Sequence, residues 1–233
     1  MKLDRLIGKH CSLGRKKARE AILSGRVSVD GITARAPEIE TDRFMSVRLD
    51  DAIVQTAKRL LHIMLHKPAG VVSSTSDPEH PTVLDLIDDP DRDTLHLAGR
   101  LDKNTTGLML LTNDGRFSKQ LMHPDHKVPK TYRVETSGSI SADAIAAFAA
   151  GFYFHTENLT TLPAKLKIIG DREALATLQE GRYHQIKRMF HRTGNRVVRL
   201  HRERIGGLSL PGDLASGNWR HMTALEIAAA LNG

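Results

Sequence analysis

Asp102 is the residue of this chain whose surroundings point most clearly to chemistry. It is the lone carboxylate in a loop of small and polar residues, between an apolar stretch that ends at Leu101 and an apolar run that begins at Leu108. A charged group between two core strands is costly to desolvate unless it is paired or used. We therefore consider two interpretations of Asp102: an aspartate that caps a turn through Asn104 or Thr105, and a carboxylate that takes part in a reaction.

The sequence patterns of the common catalytic and cofactor sites are absent. There is no serine in a nucleophile elbow, no phosphate-binding Walker loop and no glycine pattern of a dinucleotide site. His62 and His66 are four residues apart, but a strand is predicted there, so their side chains do not converge as they would on a helix. We expect all twelve histidines to be ordinary surface or groove residues, and we expect neither a metal nor a cofactor.

A basic helix and one tyrosine are the remaining candidates. Aromatic residues make up only 4% of the chain, which makes Tyr132, between Lys130 and Arg133, notable. One interpretation is a strand tyrosine packed on a sheet with its hydroxyl at the surface, and the other is a platform on which a flipped RNA base stacks. The basic helix is predicted over residues 183–192 and includes Lys187.

Basic residues are concentrated in two segments. Lysine and arginine number 34 against 27 acidic residues, which gives a net charge of +7. Residues 181–204 contain eight of the basic residues and one acid, and a second cluster consists of Arg15, Lys16, Lys17 and Arg19. One interpretation of such clusters is solvated faces that aid solubility, and the other is a surface that binds a polyanion such as nucleic acid.

Length and composition place the chain among globular proteins of one large or two smaller domains. It has 233 residues, of which 40% are hydrophobic and 26% charged. No apolar run approaches the roughly 20 residues that span a bilayer, and the N-terminus lacks the apolar segment of a secretory signal. Cys11 is the single cysteine, which excludes an internal disulfide and fits a reducing compartment. We therefore expect a cytoplasmic protein without membrane attachment.

The order of predicted elements is typical of an α+β fold. Residues 1–50 are predicted to form two helices and a small sheet with a hairpin turn at Asp30-Gly31, and residues 51–61 are predicted to form a linker. The following strands and helices lack a regular β-α-β alternation. Strands are predicted at 62–66, 95–101, 108–112, 131–135, 164–169, 174–179 and 196–204, and helices at 81–87, 116–122, 141–148, 183–192 and after a capping box at Thr223 and Glu226.

Three N-terminal segments share the pattern of an RNA-binding module. They are Leu3-Asp4-Arg5-Leu6, Arg15-Lys16-Lys17-Ala18 and residues 22–31. On these segments the chain resembles the S4 RNA-binding domain, although Gly14 and Asp30 replace the serine and asparagine usual in that family. The resemblance implies a domain over residues 1–58 that binds structured RNA by its shape and phosphates. The residues that it assigns to RNA binding are Arg15, Lys16, Lys17, Arg19 and Arg26.

Six further segments occur in the order and spacing of an enzyme family. They are residues 66–74, 98–108, 112–115, 130–132, 180–190 and 200–207. On these segments the chain resembles the pseudouridine synthases of the small-subunit ribosomal RNA type, the RsuA branch. The resemblance implies a catalytic domain over residues 59–233, built on a mixed, largely antiparallel sheet with flanking helices, that converts uridine to pseudouridine in RNA. This isomerisation is redox-neutral, so it requires no nicotinamide, metal or ATP.

The resemblance also implies roles for single residues. Asp102 matches the catalytic aspartate of the family and Lys187 its paired cation, and a cation within about 4–6 Å favours the ionised form of a carboxyl group. The alternative for Lys187 is a phosphate contact, and Arg182 is the second candidate for the pair. Tyr132 would stack on the target uracil. Arg100 would occupy the space that the flipped nucleotide leaves, or hold a phosphate.

Other residues of the matched segments have supporting roles in this interpretation. Arg188, on the basic helix, is expected to contact the RNA backbone or to pack structurally. Lys67, Pro68 and Gly70 are expected to support the loop that carries Asp102, with no direct part in the chemistry.

The RNA partner implied by the resemblance is ribosomal. Residues 77–83 and 200–204 look most like the small-subunit enzyme, whose target is uridine 516 of 16S ribosomal RNA. The predicted partner is therefore 16S RNA or a small-subunit assembly particle, bound by a monomer. The alternatives are the same chemistry on 23S or another RNA, and a non-catalytic RNA-binding protein of ribosome assembly.

Overall fold

The computed structural model describes residues 1–232 and divides the chain into two compact units. The first unit is Met1–Leu60 and the second begins at Leu61, two residues after the domain boundary predicted from the sequence. None of the helices in residues 1–232 has the length and apolar character needed to cross a membrane. The two units are described separately below.

The N-terminal unit consists of two helices and a four-stranded antiparallel sheet with the order β2-β1-β3-β4. The helices and strands are α1 (Leu3–His10), α2 (Arg15–Leu23), β1 (Val27–Val29), β2 (Ile32–Ala34), β3 (Val47–Leu49) and β4 (Ala52–Gln55). Apolar residues of both helices, among them Leu3, Ile7 and Ile22, are fully buried against Val27 and Val47. The predicted linker at 51–61 is wrong in part, because β4 pairs with β3 and belongs to this sheet.

The second unit contains a mixed, largely antiparallel sheet with flanking helices, which confirms the α+β prediction. The sheet order is β11-β12-β8-β13-β7-β5-β15, with β6 beside β7 and β14 beside β13, and within the described residues its one parallel pair is β13 with β7. Its strands are β5 (His62–Lys67), β6 (His96–Leu97), β7 (Thr106–Thr112), β8 (Lys130–Thr136), β11 (Lys165–Gly170), β12 (Glu173–Leu178), β13 (Val197–Ile205), β14 (Leu208–Ser209) and β15 (Trp219–His221). A separate hairpin is formed by β9 (Tyr153–Phe154) and β10 (Leu159–Thr160). The helices are α3 (Gly115–Met122), α4 (Asp143–Ala150), α5 (Gln185–Arg192) and α6 (Ala224–Leu231).

Both faces of the central strand β7 are buried. Leu108 and Leu110 pack in one hydrophobic cluster, whereas Met109 and Leu111 pack in another. Successive side chains of a strand point to opposite faces, so a continuous apolar run is what a strand covered on both sides requires. The capping box predicted at Thr223 and Glu226 is confirmed at the start of α6, and the Asp114 carboxylate accepts from the Arg116 amide at 2.8 Å at the start of α3.

Three other predicted elements differ from the structure. The helix predicted at 81–87 is a series of turns, because the Pro81 carbonyl, which would accept from the Asp85 amide in a helix, accepts from the Val72 amide at 3.0 Å instead. The strand predicted at 95–101 pairs only at His96–Leu97. The helix predicted at 183–192 begins at Gln185, because His184 has a left-handed backbone with φ of 49°.

The parallel contact between β7 and β13 requires a glycine at position 107. Gly107 has φ of 110° and pairs with Arg202, and a Cβ atom at this position would lie 2.3 Å from the Arg202 carbonyl oxygen. No other residue tolerates both the backbone conformation and the close approach. This contact places the loop that precedes β7 beside strand β13.

Candidate active site

The loop that carries Asp102 is a tight turn, closed by a backbone hydrogen bond and anchored by the Ser73 hydroxyl. The Thr105 amide donates to the Asp102 carbonyl at 3.0 Å, and the Leu101 amide and carbonyl both bond the buried Ser73 hydroxyl, at 3.1 Å and 2.6 Å. The Asp102 side chain takes no part in this turn, since its hydrogen-bond partner among residues 1–232 is a distant lysine and not Asn104 or Thr105. The capping interpretation of Asp102 is therefore wrong.

A buried lysine fixes the backbone of this loop. Lys67, at the end of β5, has no exposed surface, and its ammonium donates to the carbonyls of Pro68, Lys103 and Thr105 at 3.0 Å and of Asp102 at 3.2 Å. The Gly70 amide also donates to the Lys103 carbonyl, at 2.9 Å. A buried charge needs full hydrogen bonding to offset its desolvation, and here the backbone carbonyls of the loop supply it.

The Asp102 carboxylate forms an ion pair with the basic helix. Lys187 Nζ donates to Asp102 Oδ2 at 2.7 Å, and His184 Nε2 lies 3.5 Å from the same oxygen. The Asp102 side chain is 28% exposed. Within residues 1–232 no donor contacts Oδ1, so Lys187 and His184 lie against one carboxylate oxygen and the other is left for a ligand.

His184 is the residue of this site that the sequence interpretation missed. All histidines were expected to be ordinary, and Arg182 was the expected second partner of Asp102; instead Arg182 Nε pairs with Glu180 Oε2 at 2.9 Å. His184 lies one residue before the helix and has a left-handed backbone, so helical spacing to Lys187 does not explain its position and no sequence pattern signalled it. Its left-handed backbone and the stacked ring of Tyr183, with centroids 3.9 Å apart, hold the imidazole in place.

Tyr132 lies on β8, opposite a buried arginine of β13. The Tyr132 side chain is half-buried, and its hydroxyl lies 3.4 Å from Arg202 Nη1. Arg202 is 3% exposed and donates from Nε to the Leu108 carbonyl at 2.7 Å. This arginine therefore connects Tyr132 to Leu108 of β7, the strand that follows the loop carrying Asp102.

Arg100 and the remaining predicted RNA-binding residues differ in what they contact. The Arg100 side chain is exposed and has no hydrogen bond or ion pair in the described part of the chain. Lys16 and Lys17 are exposed on α2. The other predicted residues form ion pairs: Arg15 and Arg19 with Asp4, Arg26 with Asp50, and Arg188 with Glu157.

A cavity of about 610 Å³ borders the ion pair. Lys187, Asn104, Thr105 and Leu200 are among its lining residues. Thr105 is 1% exposed, and its hydroxyl has no hydrogen-bond partner in residues 1–232. Over the same residues, no group of three or more histidine, cysteine or acidic side chains is arranged to hold a metal ion.

The chain is similar in sequence and in structure to proteins described as pseudouridine synthases. A family model described as RNA pseudouridylate synthase matches residues 61–192. Ribosomal small subunit pseudouridine synthase A of Pseudomonas aeruginosa is 49% identical over 98% of this chain and 100% of its own length, and that of Escherichia coli K12 is 42% identical over 99% and 100%. A solved structure described as a pseudouridylate synthase superposes with a TM-score of 0.72 at 36% identity, over 99% of both chains. The chain belongs to the RNA pseudouridylate synthase family.

Proposed function

We propose that this enzyme converts a uridine of small-subunit ribosomal RNA to pseudouridine, with Asp102 as the catalytic carboxylate. The observation that carries the proposal is the geometry of Asp102, whose Oδ2 is held by Lys187 at 2.7 Å while Oδ1 has no donor in the described residues. The Lys187 ammonium orients the carboxylate and balances its negative charge. A fixed anion with one free oxygen is suited to attack on a sugar or base carbon.

The proposed reaction breaks the bond between ribose C1′ and uracil N1, turns the uracil and forms a bond between C1′ and C5. C5 loses a proton and N1 gains one, so the atoms of uridine are conserved. Three roles are open to Asp102: attack on the ribose C1′, attack on the uracil C6, or stabilisation of the positive charge that develops as the bond breaks. In each of them the carboxylate must be ionised. Tyr132 would stack on the target uracil, and Arg100, exposed two residues before Asp102, would fill the space of the flipped nucleotide or hold a phosphate.

The proposed target is uridine 516 of 16S RNA. Small-subunit specificity is supported by the names of the relatives that match over their full length. The test is chemical mapping of pseudouridine across 16S and 23S RNA in cells with and without the gene. We expect one 16S position, uridine 516, to lose its modification. Loss of a 23S position instead would contradict the target and leave the chemistry intact.

The N-terminal unit is proposed to be an S4-like RNA-binding domain. In support, Lys16 and Lys17 are exposed on α2 and are free to approach phosphates. The proposal places the enzyme in the cytoplasm as a monomer, with 16S RNA or a small-subunit assembly particle as its partner.

Replacement of Lys187 by methionine is expected to lower the rate of isomerisation by about 10²- to 10³-fold, because the Asp102 carboxylate loses its orienting cation. RNA affinity should change by less than about threefold. The measurement is tritium release from 5-labelled uridine in 16S RNA, with binding followed over a range of salt concentrations.

Lys17→Met is the matched control, since it removes the same charge on the N-terminal unit. It should weaken binding, reduce the salt slope by about one, and leave the rate at saturating RNA unchanged. If Lys187→Met behaved like this control, Lys187 would be a phosphate contact.

The buried ammonium of Lys67 is expected to make the rate depend on pH. Burial lowers the pKa of Lys67 to about 8, while the Asp102 carboxylate opposes this shift and Arg202 adds to it. The neutral amine has two N–H donors in place of three. Above pH 8 the isomerisation step should therefore slow by about 5- to 10-fold, the equivalent of one lost hydrogen bond.

Unfolding does not account for such a decrease. Between pH 8 and pH 10.5 the unfolded chain retains the Lys67 proton and the folded chain has released it, so the contribution of Lys67 to the free energy of unfolding rises with pH. Single-turnover rates, melting temperatures and RNA affinities should be measured together over this interval. A rate that stays constant to pH 9.5 would contradict the role of the charged form.

A further inference from the structure

A second cleft, of about 360 Å³, adjoins the catalytic carboxylate. His184 and Lys187 line it, and the same two side chains lie 3.5 Å and 2.7 Å from Asp102 Oδ2. The opposite wall comes from residues 153–156, in and after β9. The α5 residues that complete the lining are Arg188, His191 and Arg192. A ligand in this cleft would therefore lie directly beside whatever Asp102 acts on.

Tyr153 provides one flat surface in this cleft. Its side chain is 41% exposed, whereas a tyrosine in a protein core buries most of its ring. The hydroxyl donates to Asn158 Oδ1, and the ring packs edge-on against His155 with centroids 4.9 Å apart. These contacts hold an exposed aromatic ring in a fixed orientation.

Arg188 provides a second flat surface. Its guanidinium carbon lies 3.6 Å from the centre of the buried Phe154 ring. Glu157 accepts from both terminal nitrogens, at 2.6 Å and 2.8 Å, and the Thr156 hydroxyl accepts at 3.0 Å. One face of the guanidinium lies on Phe154, and its charge and its N–H donors are already satisfied by Glu157 and Thr156. The group is therefore better suited to stack against a base than to bind a phosphate.

Among the lysine and arginine side chains that line the cleft, one arginine is available to bind a phosphate. Lys187 is paired with Asp102 and Arg188 with Glu157. Arg192 is exposed and lacks an ion pair within residues 1–232. Two flat surfaces with a cation beside them match the parts of one unpaired nucleotide, its base and its phosphate.

We propose that this cleft binds the unpaired nucleobase next to the target uridine, with Tyr153 and the Arg188 guanidinium as stacking surfaces and Arg192 at the phosphate. The proposal rests on the proposed function, since it takes the RNA around uridine 516 as the ligand. It assigns to Arg188 a stacking role in place of the backbone contact expected from the sequence.

The probe is a 16S RNA segment around uridine 516 that carries 2-aminopurine at the nucleotide on its 5′ or its 3′ side. Stacking on Tyr153 should quench the fluorescence of one of the two probes on binding to the full-length enzyme. Tyr153→Leu should remove the quenching and weaken binding by about 5- to 150-fold, the range for one base stacked on an aromatic ring. Tyr153→Phe, which keeps the ring, should behave like the wild type.

An abasic residue at the quenched position completes a double-mutant cycle. It should weaken binding to the wild type and have no further effect on Tyr153→Leu. Losses that simply add, or equal affinity of Tyr153→Leu and the wild type, would overturn the proposal. Should Tyr153→Leu fail to fold, Arg188→Lys serves in its place, because lysine keeps the positive charge but lacks the planar guanidinium that would stack on the base.

Tritium release on the same segment separates the two proposals. Quenching without isomerisation of uridine 516 would overturn the target assignment and support the cleft. Isomerisation with no quenching of the probe on either side of uridine 516 would overturn only the proposal that the cleft binds the neighbouring base. A segment that does not bind the wild-type enzyme would contradict both.

Discussion

Asp102→Asn is expected to lower the single-turnover rate of uridine isomerisation by at least about 1,000-fold, the scale of losing a central catalytic group. The amide has the shape of the carboxylate but no negative charge, so it neither attacks carbon nor stabilises positive charge. RNA affinity should stay within about twofold, because binding depends on basic residues. Tritium release and equilibrium binding measure the two effects separately.

The matched control for this variant is Asp114→Asn. Asp114 lies at the start of α3, where it accepts from the Arg116 amide at 2.8 Å, and asparagine caps a helix about as well as aspartate. The control should retain the rate and the melting temperature of the wild type. Substantial turnover by Asp102→Asn would disprove the catalytic role of Asp102, and equal losses in both variants would point to a general effect of the substitution.

Lys67→Met is expected to damage both stability and catalysis. Methionine fits the space, but the carbonyls of Pro68 and Thr105 lose their donor, whereas those of Asp102 and Lys103 keep an amide donor each. Leaving two buried carbonyls unpaired costs stability, and no longer burying an ammonium offsets part of that cost. We expect a net loss of about 2–4 kcal/mol in the free energy of unfolding. A loop displaced by about 1 Å should lose about 10²-fold in rate.

Denaturant unfolding and tritium release test these two effects of Lys67→Met. Lys119→Met, on the exposed side of α3, removes the same charge without a buried contact and should change neither quantity. If Lys67→Met retained the rate of the wild type while losing stability, the loop would be held by Ser73 and Gly70 instead. Wild-type behaviour in both measurements would contradict any role for the buried ammonium.

Local patterns in the sequence predicted most elements of the second unit. The apolar run at 108–111 predicted a strand, and the capping box at Thr223 and Glu226 predicted the start of the last helix. Each of these signals acts within a few residues of the chain, so no knowledge of the tertiary contacts was needed. The helix predicted at 81–87 is wrong because of a contact from outside that segment, since the backbone of Val72 bonds Pro81 and Val83.

By itself, the sequence identified Asp102 as a carboxylate in need of a partner, and motif resemblance named Lys187 as that partner. Only the tertiary structure decided which groups surround it, because Asp102 and Lys187 are 85 positions apart and periodicity carries no information over that distance. The structure brought His184 into the site in place of Arg182, through a left-handed backbone that side-chain patterns do not reveal. It also showed how Lys67 supports the loop, since the energy of a buried ammonium depends on where four carbonyls converge.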